Sequence, residues 1–236
     1  MTDTLEELPA RIDCLHTLPD GSAVWLKVLN SAQRAAARSA ADIATAAEMR
    51  VYRPGNPGYD ALGDSIDDMS IETQAAFLAS VLFITGDGWE QVRQKYPDPE
   101  RPERGEGMDD SAFIAAQDAW EADCTKAAAQ REKYQKTLYD AEVKRATSLT
   151  PGVRRSRCIE AERSIRYRQA FVTHWQNEHV SRGTRDAENH TRQIYASAAE
   201  VADLDDAIRE SLVVAYFALE AVRAADVPTS PGASTD

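Results

Sequence analysis

Cysteine and histidine are scarce in this chain of 236 residues, which contains three of the first and four of the second. Three widely spaced cysteines do not form the dense disulfide framework of a small secreted domain. No CxxC or HxxxH pair accompanies them, so the usual spacing of zinc ligands is missing. We therefore expect a fold that needs neither disulfides nor a metal or other cofactor, in a reducing cytoplasm.

Long apolar runs and a basic leader are also lacking. The most apolar stretches, residues 75–84 and 212–222, are about half of the roughly 20 residues that a membrane-spanning helix needs. The acidic start does not have the pattern of a signal peptide. The formal net charge of −12 opposes binding to nucleic acids and to anionic membranes. These features predict a cytoplasmic protein without a membrane or nucleic-acid partner.

Several elements are predicted in the first half of the chain. Apolar and polar residues alternate over 12–29 on either side of Pro19-Asp20-Gly21, which predicts a β-hairpin. An Ala-rich helix is expected over residues 32–50, and residues 53–69 read as a loop because they are rich in proline and glycine. Ser70 then caps a short core helix that continues to about residue 85.

Two long helices are predicted in the second half. No proline or glycine interrupts residues 109–150, where apolar positions step by threes and fours, as in a coiled-coil seam. The seam comprises Phe113, Ala116, Trp120, Cys124, Ala127, Tyr134, Leu138 and Ala141. Residues 156–181 are expected to fold back antiparallel on it. Residues 184–191, after a break at Gly183, fit either a loop or an exposed helix.

The predicted fold class is mainly α. A small N-terminal β-hairpin packs on helices and is followed by a long antiparallel helical hairpin and by a C-terminal helix capped near Asp203 or Asp205. Three prolines among charged residues make 97–108 a polar linker. The predicted domains are residues 1–96, with the hairpin and its helices, and the helical domain 109–227, before a disordered tail at 228–236.

Candidate chemical sites are few and weak. Cys14 and His16 lie two positions apart on one face of a predicted strand and are the best local metal-ligand pair. Two half-buried strand residues are the favoured interpretation, because no further ligands accompany them. Cys124 and Cys158 lie on predicted helix seams, where a small buried side chain is more common than a reactive thiol. Gly86-Asp87-Gly88 is typical of the end of a helix and not of a phosphate-binding loop. We predict no metal site and no catalytic residue.

An arginine-rich run is the sharpest anomaly in an acidic protein. Its six members lie within fifteen residues: Arg154, Arg155, Arg157, Arg163, Arg166 and Arg168. One hypothesis makes them a surface that binds an acidic partner. The other pairs them with Glu132, Asp140 and Glu142 across the helical hairpin, which the acidic preceding helix favours.

The N-terminal fifth of the chain has a recognisable pattern. An acidic start, a hairpin around Leu18-Pro19-Asp20-Gly21 and an Ala/Arg-rich helix over 32–40 resemble the opening of tail assembly chaperones of long-tailed bacteriophages. This resemblance implies a non-enzymatic protein of the host cytoplasm that binds the tape measure protein and tail-tube subunits. Helix-in-groove binding of a long helical client would suit it.

Two alternatives to this function stay open. The chain could instead be a minor structural or connector component of a virion, retained in the particle. A helical hydrolase that holds a divalent metal with carboxylates is the second alternative, although the Glu-x-x-His pairs of such bundle enzymes are missing. The sequence does not identify the partner, and it leaves open whether the chain associates with itself.

Overall fold

The computed structural model describes residues 13–105 and 108–226, and the side chains of 222–226 are left out of the description. The predicted tail at 228–236 therefore lies outside the described residues. Helices and strands follow in the order β1 Asp13–Thr17, β2 Ala23–Lys27, α1 Ser31–Glu48, a 3₁₀ turn Met49–Tyr52, α2 Pro57–Asp67, α3 Ile71–Ile84, α4 Asp87–Lys95, α5 Asp110–Thr147, α6 Pro151–Gly183, β3 Thr184–Asp186, α7 Ala198–Ala202 and α8 Asp206–Asp226. The predicted mainly α fold class is confirmed.

The N-terminal hairpin forms around the predicted turn. Gly21 has a φ of 83°, the left-handed conformation that glycine adopts without steric cost. The Asp20 carboxylate accepts hydrogen bonds from the amide and the hydroxyl of Ser22, at 2.9 and 2.6 Å, which lowers the pKa of Asp20. β1 and β2 pair antiparallel with Leu15 opposite Trp25. The hairpin prediction is confirmed.

A third strand completes this sheet. β3 pairs antiparallel with β2, with Leu26 opposite Thr184. The sequence favoured a loop or an exposed helix here, and both interpretations of residues 184–186 are wrong. A strand of three residues is too short for an alternation of apolar and polar residues to be recognised in the sequence. β3 is a strand because it pairs with the free edge of β2, which local sequence does not reveal.

The loop predicted over residues 53–69 is corrected by the structure, which places α2 at Pro57–Asp67 within it. Proline suits the first helical turn because its missing amide would have no partner there. α1 ends at Glu48, and its start is held by a capping box in which Asn30 and Gln33 exchange side-chain to backbone hydrogen bonds. The proline and glycine at the start of α2 therefore belong to a helix and not to a loop.

α5 runs for 38 residues from its cap at Asp109, as predicted. The seam positions from Phe113 to Leu138 are half-buried, whereas Ala141 is exposed. α3 is the element that packs most extensively on α5, and α4 comes next. The long helices α5 and α6 follow each other through a short turn, and Ala146 of α5 shares a core cluster with Cys158 and Ile159 of α6.

The chain divides into two compact units. The central unit is Arg50–Arg166, and its core includes Ile66, Ala75, Leu78 and Ile159. The terminal unit joins the described chain up to Met49 with the chain from Tyr167 onward. Its core comprises Leu18, Val24, Leu26, Val28, Leu29, Ala37, Val180, Val201, Leu212, Tyr216 and Leu219. The domain boundaries expected from the sequence stay a prediction, since compactness does not test independent folding.

In the part of the chain that the structure describes, no helix combines the length and the apolar character needed to cross a bilayer.

Candidate functional site

The arginine run is dispersed by the structure into different environments. Arg154 is buried, and its Nε donates to the side-chain oxygen of Gln74 at 3.0 Å. Its Nη1 donates to the carbonyl of Leu149 at 2.9 Å, at the turn between α5 and α6. A buried guanidinium needs this degree of hydrogen bonding to offset its desolvation. Arg154 is therefore a structural tie between α3 and the turn and does not form part of a surface.

Arg155 lies over α2 of the central unit. Its Nε donates to the carboxylate of Asp67 at 2.7 and 2.9 Å, and this hydrogen bond raises the pKa of Arg155. Gly63 permits the approach, because a Cβ built there would lie 2.3 Å from the guanidinium. The pair is half-exposed, so its contribution to stability is small.

Arg163 and Arg166 face tyrosine rings in the same unit. The guanidinium of Arg166 lies 5.0 Å from the ring centroid of Tyr52 and donates to its hydroxyl at 3.0 Å. The same side chain pairs with Glu162 at 2.9 Å. Arg163 lies 6.0 Å from the ring of Tyr59. Arg166 is therefore held by a cation–π contact, a hydrogen bond and a carboxylate, whereas the contact shown for Arg163 is the ring of Tyr59.

The internal pairing predicted for the run therefore occurs with different partners. Asp67 and Glu162 take the place of Glu132 and Asp140, and Glu142 pairs with Arg145 on its own helix. Arg157 and Arg168 are exposed, and Arg168 belongs to the terminal unit. The partner-binding role of the six arginines stays a prediction.

An apolar cleft of about 370 Å³ opens on the central unit, at the site of the loop predicted for residues 53–69. Its apolar walls come from the 3₁₀ turn, α2 and α3 and include Val51, Leu62, Ile66 and Phe77. The pair of Glu162 and Arg166 forms its polar edge. Sequence patterns did not indicate this cleft because α2 was not predicted, although Arg166 was singled out.

Cys14 and His16, the two residues of β1 that were considered as metal ligands, have other surroundings in the structure. His16 Nε2 is 2.8 Å from the hydroxyl of Ser211 on α8. Cys14 is half-buried, and burial raises the pKa of its thiol. Within residues 13–105 and 108–226, no three His, Cys, Asp or Glu side chains converge as metal ligands would.

Two further histidines and Cys158 lie within the cores or ion pairs of their own units. His174 Nε2 lies 2.8 Å from the Glu48 carboxylate. His179 is buried, which lowers its pKa, and its Nδ1 donates to the carbonyl of Trp175 at 2.9 Å. Cys158 is fully buried, and burial raises the pKa of its thiol. The prediction that Cys158 is a small buried side chain is confirmed, whereas Cys124 is only half-buried.

Comparison with known proteins gives no relative: no family model matches the chain, and no curated protein or solved structure matches it.

Proposed function

We propose that this chain is a non-enzymatic assembly factor that binds a long helical client, and that it acts as a tail assembly chaperone of a long-tailed bacteriophage. The observation that carries the proposal is the apolar cleft of the central unit with its Glu162–Arg166 edge. The resemblance of the N-terminal fifth to such chaperones supports the choice of client, the tape measure protein. Tail-tube subunits are the second expected partner, and the host cytoplasm is the expected site of action.

The shape and chemistry of the cleft suit a docked helix. An amphipathic helix binds by placing apolar side chains spaced three or four residues apart into a groove. Val51, Leu62 and Phe77 supply an apolar lining, so burial of such anchors removes apolar surface from water on both partners. The charged pair at the edge orients the client, because polar groups at the rim of an interface contribute mainly to specificity.

Co-expression with each long helical protein that is encoded near this chain, as candidate tape measure proteins, tests the proposal. The wild-type chain should keep the client soluble and co-purify with it. Ser65→Phe fills the cleft from an exposed position on α2 and should reduce the recovered client at least about tenfold, the result of losing roughly 1.4 kcal/mol of binding energy. Ala128→Phe, an exposed change on α5 outside the cleft, is the matched control and should leave recovery unchanged.

Two results would contradict this function. Failure of every long helical protein encoded nearby to co-purify would remove the client. Equal recovery with Ser65→Phe and Ala128→Phe would remove the cleft as the binding site. Mass spectrometry of purified particles separates the virion alternative, since a chaperone should be missing from the particle and a structural component should be present in stoichiometric amount.

A further inference from the structure

The polar segment of residues 97–105, called the strap below, lies along the first half of α5. The indole Nε1 of Trp120 donates to the carbonyl of Pro99 at 3.1 Å. The guanidinium of Arg101 lies 5.8 Å from the Trp120 ring, and that of Arg104 lies 6.0 Å from the Phe113 ring. Arg104 also pairs with the carboxylate of Asp110. The strap therefore covers the aromatic seam positions that precede the contacts with α3 and α4.

The contacts of the strap resemble the recognition of a proline-rich peptide. Pro99 and Pro102 are half-buried and three residues apart, which is the repeat of a polyproline II helix. Aromatic-lined grooves bind such segments by packing against the prolines and by donating hydrogen bonds to their carbonyls. The Trp120 indole makes such a donation to Pro99.

The charge of α5 explains why arginine accompanies proline in the strap. The first fifteen positions from the cap contain Asp109, Asp110, Asp118, Glu121 and Asp123, and the first basic residue is Lys126. A negative surface with two half-buried aromatic rings favours guanidinium groups, through both charge attraction and cation–π contact. The strap also contains three acidic residues, and one of them, Asp98, pairs with Arg131 of α5 at 2.8 Å. The two arginines, and not a net positive charge, therefore fit the strap to the acidic part of α5.

We propose that the first half of α5 is a binding surface for extended segments of partner proteins that carry proline and arginine, with the strap as its intramolecular ligand. Among the described residues, the contacts of the strap with α5 are the Trp120–Pro99 hydrogen bond, the two cation–π contacts and the ion pairs Arg104–Asp110 and Asp98–Arg131, without a backbone ladder. An external segment of the same chemistry can therefore replace it. This surface is separate from the apolar cleft and does not depend on the identity of the client.

A peptide that binds this surface of α5 has to compete with the strap. A ligand tethered by a short connection acts at an effective concentration in the millimolar range. A free peptide of residues 97–105 should therefore bind the wild-type chain weakly. In the full chain, Arg101→Glu with Arg104→Glu removes both cation–π contacts and places negative charge beside Asp110. This should release the strap from Trp120 and Phe113, whereas the Asp98–Arg131 pair at its start stays in place.

Fluorescence anisotropy of a labelled 97–105 peptide measures the exchange. The peptide should bind the double variant at least about tenfold more tightly than the wild-type chain. Adding Trp120→Leu should abolish binding. Trp120→Phe keeps an aromatic face without the N–H donor and should retain weaker binding, which protects the test against a folding defect in the leucine variant. A peptide in which the prolines are replaced by alanine is the matched control and should bind at least about tenfold more weakly.

Three outcomes would overturn the proposal. The first is no peptide binding to a double variant whose circular dichroism matches that of the wild-type chain. The second is binding that Trp120→Phe and Trp120→Leu leave unchanged, which would place the peptide elsewhere. The third is a wild-type dimer that excess peptide dissociates and that the double variant does not form, because the occupant would then be the strap of a second copy.

Discussion

The hydroxyl group of Tyr216 accepts a hydrogen bond of 3.2 Å from the backbone amide of Leu29, 187 positions earlier in the chain. Tyr216 is fully buried, and burial raises the pKa of its hydroxyl above the usual value of 10. The same hydroxyl donates to the Glu220 carboxylate at 3.2 Å. This tyrosine thus joins α8 to the end of the N-terminal hairpin within the terminal unit.

Tyr216→Phe removes this link while keeping the ring. The loss of a buried hydrogen bond should lower the free energy of unfolding by about 0.5–1.5 kcal/mol. Urea unfolding followed by circular dichroism measures the change. Tyr167→Phe, at an exposed tyrosine, is the control and should change stability by less than about 0.5 kcal/mol. Equal effects of the two substitutions would show that the Tyr216 hydroxyl contributes no stability.

Gly183→Ala should destabilise the terminal unit. A Cβ at this position would lie 2.3 Å from the ring of Tyr216 and 3.0 Å from the carbonyl of Lys27, both within a packed core. Overpacking of this kind costs about 1–3 kcal/mol, which thermal unfolding would report as a lower Tm.

Gly152→Ala is the matched control on the same helix. Nothing lies within 4 Å of a Cβ at Gly152, near the start of α6. Alanine is the better helix former, so this variant should be unchanged or more stable by up to about 1 kcal/mol. A Gly183→Ala variant as stable as the wild-type chain would contradict the close approach of Tyr216.

Stability should fall as the pH drops below 6.5, because His179 has a lowered pKa in the folded state. Burial among Trp175 and Tyr216 disfavours its charged form, while the unfolded chain binds a proton at the usual value of 6.5. Between these two pKa values the unfolded state holds more protons, so acid favours unfolding, and the full contribution returns above pH 6.5.

The effect of His179 is isolated by a variant. His179→Asn keeps an N–H near the Trp175 carbonyl but does not titrate. Urea unfolding at pH 5.5 and 7.5 should show a smaller loss of stability for His179→Asn than for the wild-type chain. Parallel losses in the two proteins would show that His179 does not contribute to the pH dependence.

Arg154→Ala should destabilise the central unit by at least about 2 kcal/mol. The substitution removes a charged donor from Gln74 and from the Leu149 carbonyl, and such bonds contribute about 1.5–3 kcal/mol each when a charge is involved. Arg157→Ala, at an exposed arginine three positions later, should stay within about 0.5 kcal/mol of the wild-type chain. Thermal unfolding that gives equal shifts for both would contradict a structural role for Arg154.

Caps and periodicity made most of the helices predictable. Asp109 and Ser70 begin α5 and α3 where the sequence placed them, because a side-chain oxygen before an uninterrupted run is a local signal. The half-buried seam of α5 was predictable for the same reason, since helical spacing decides which residues share a face. The partner of that face was not predictable, because packing on α3 depends on contacts between distant segments.

The incorrect predictions have one cause in common, since they concern contacts between segments that are distant in sequence. α2 begins at Pro57, and the proline and glycine around it are equally common in loops. Because α2 was missed, Asp67 was not available as a partner for Arg155, and the apolar cleft had no predicted wall. The burial of Arg154 was not predictable either, because nothing in a local run of arginines indicates which of them will donate a hydrogen bond to Gln74.

During synthesis on the ribosome, β2 is made long before β3, the strand that pairs with it. All of the central unit lies between these two strands in sequence, so it emerges while the edge of β2 still lacks its neighbour. At a synthesis rate of about 5–20 residues per second, that interval is on the order of ten seconds. An unpaired strand edge is open to pairing with other nascent chains during this time. Ribosome-bound intermediates that stop before Thr184 therefore have an edge of β2 that β3 does not yet cover.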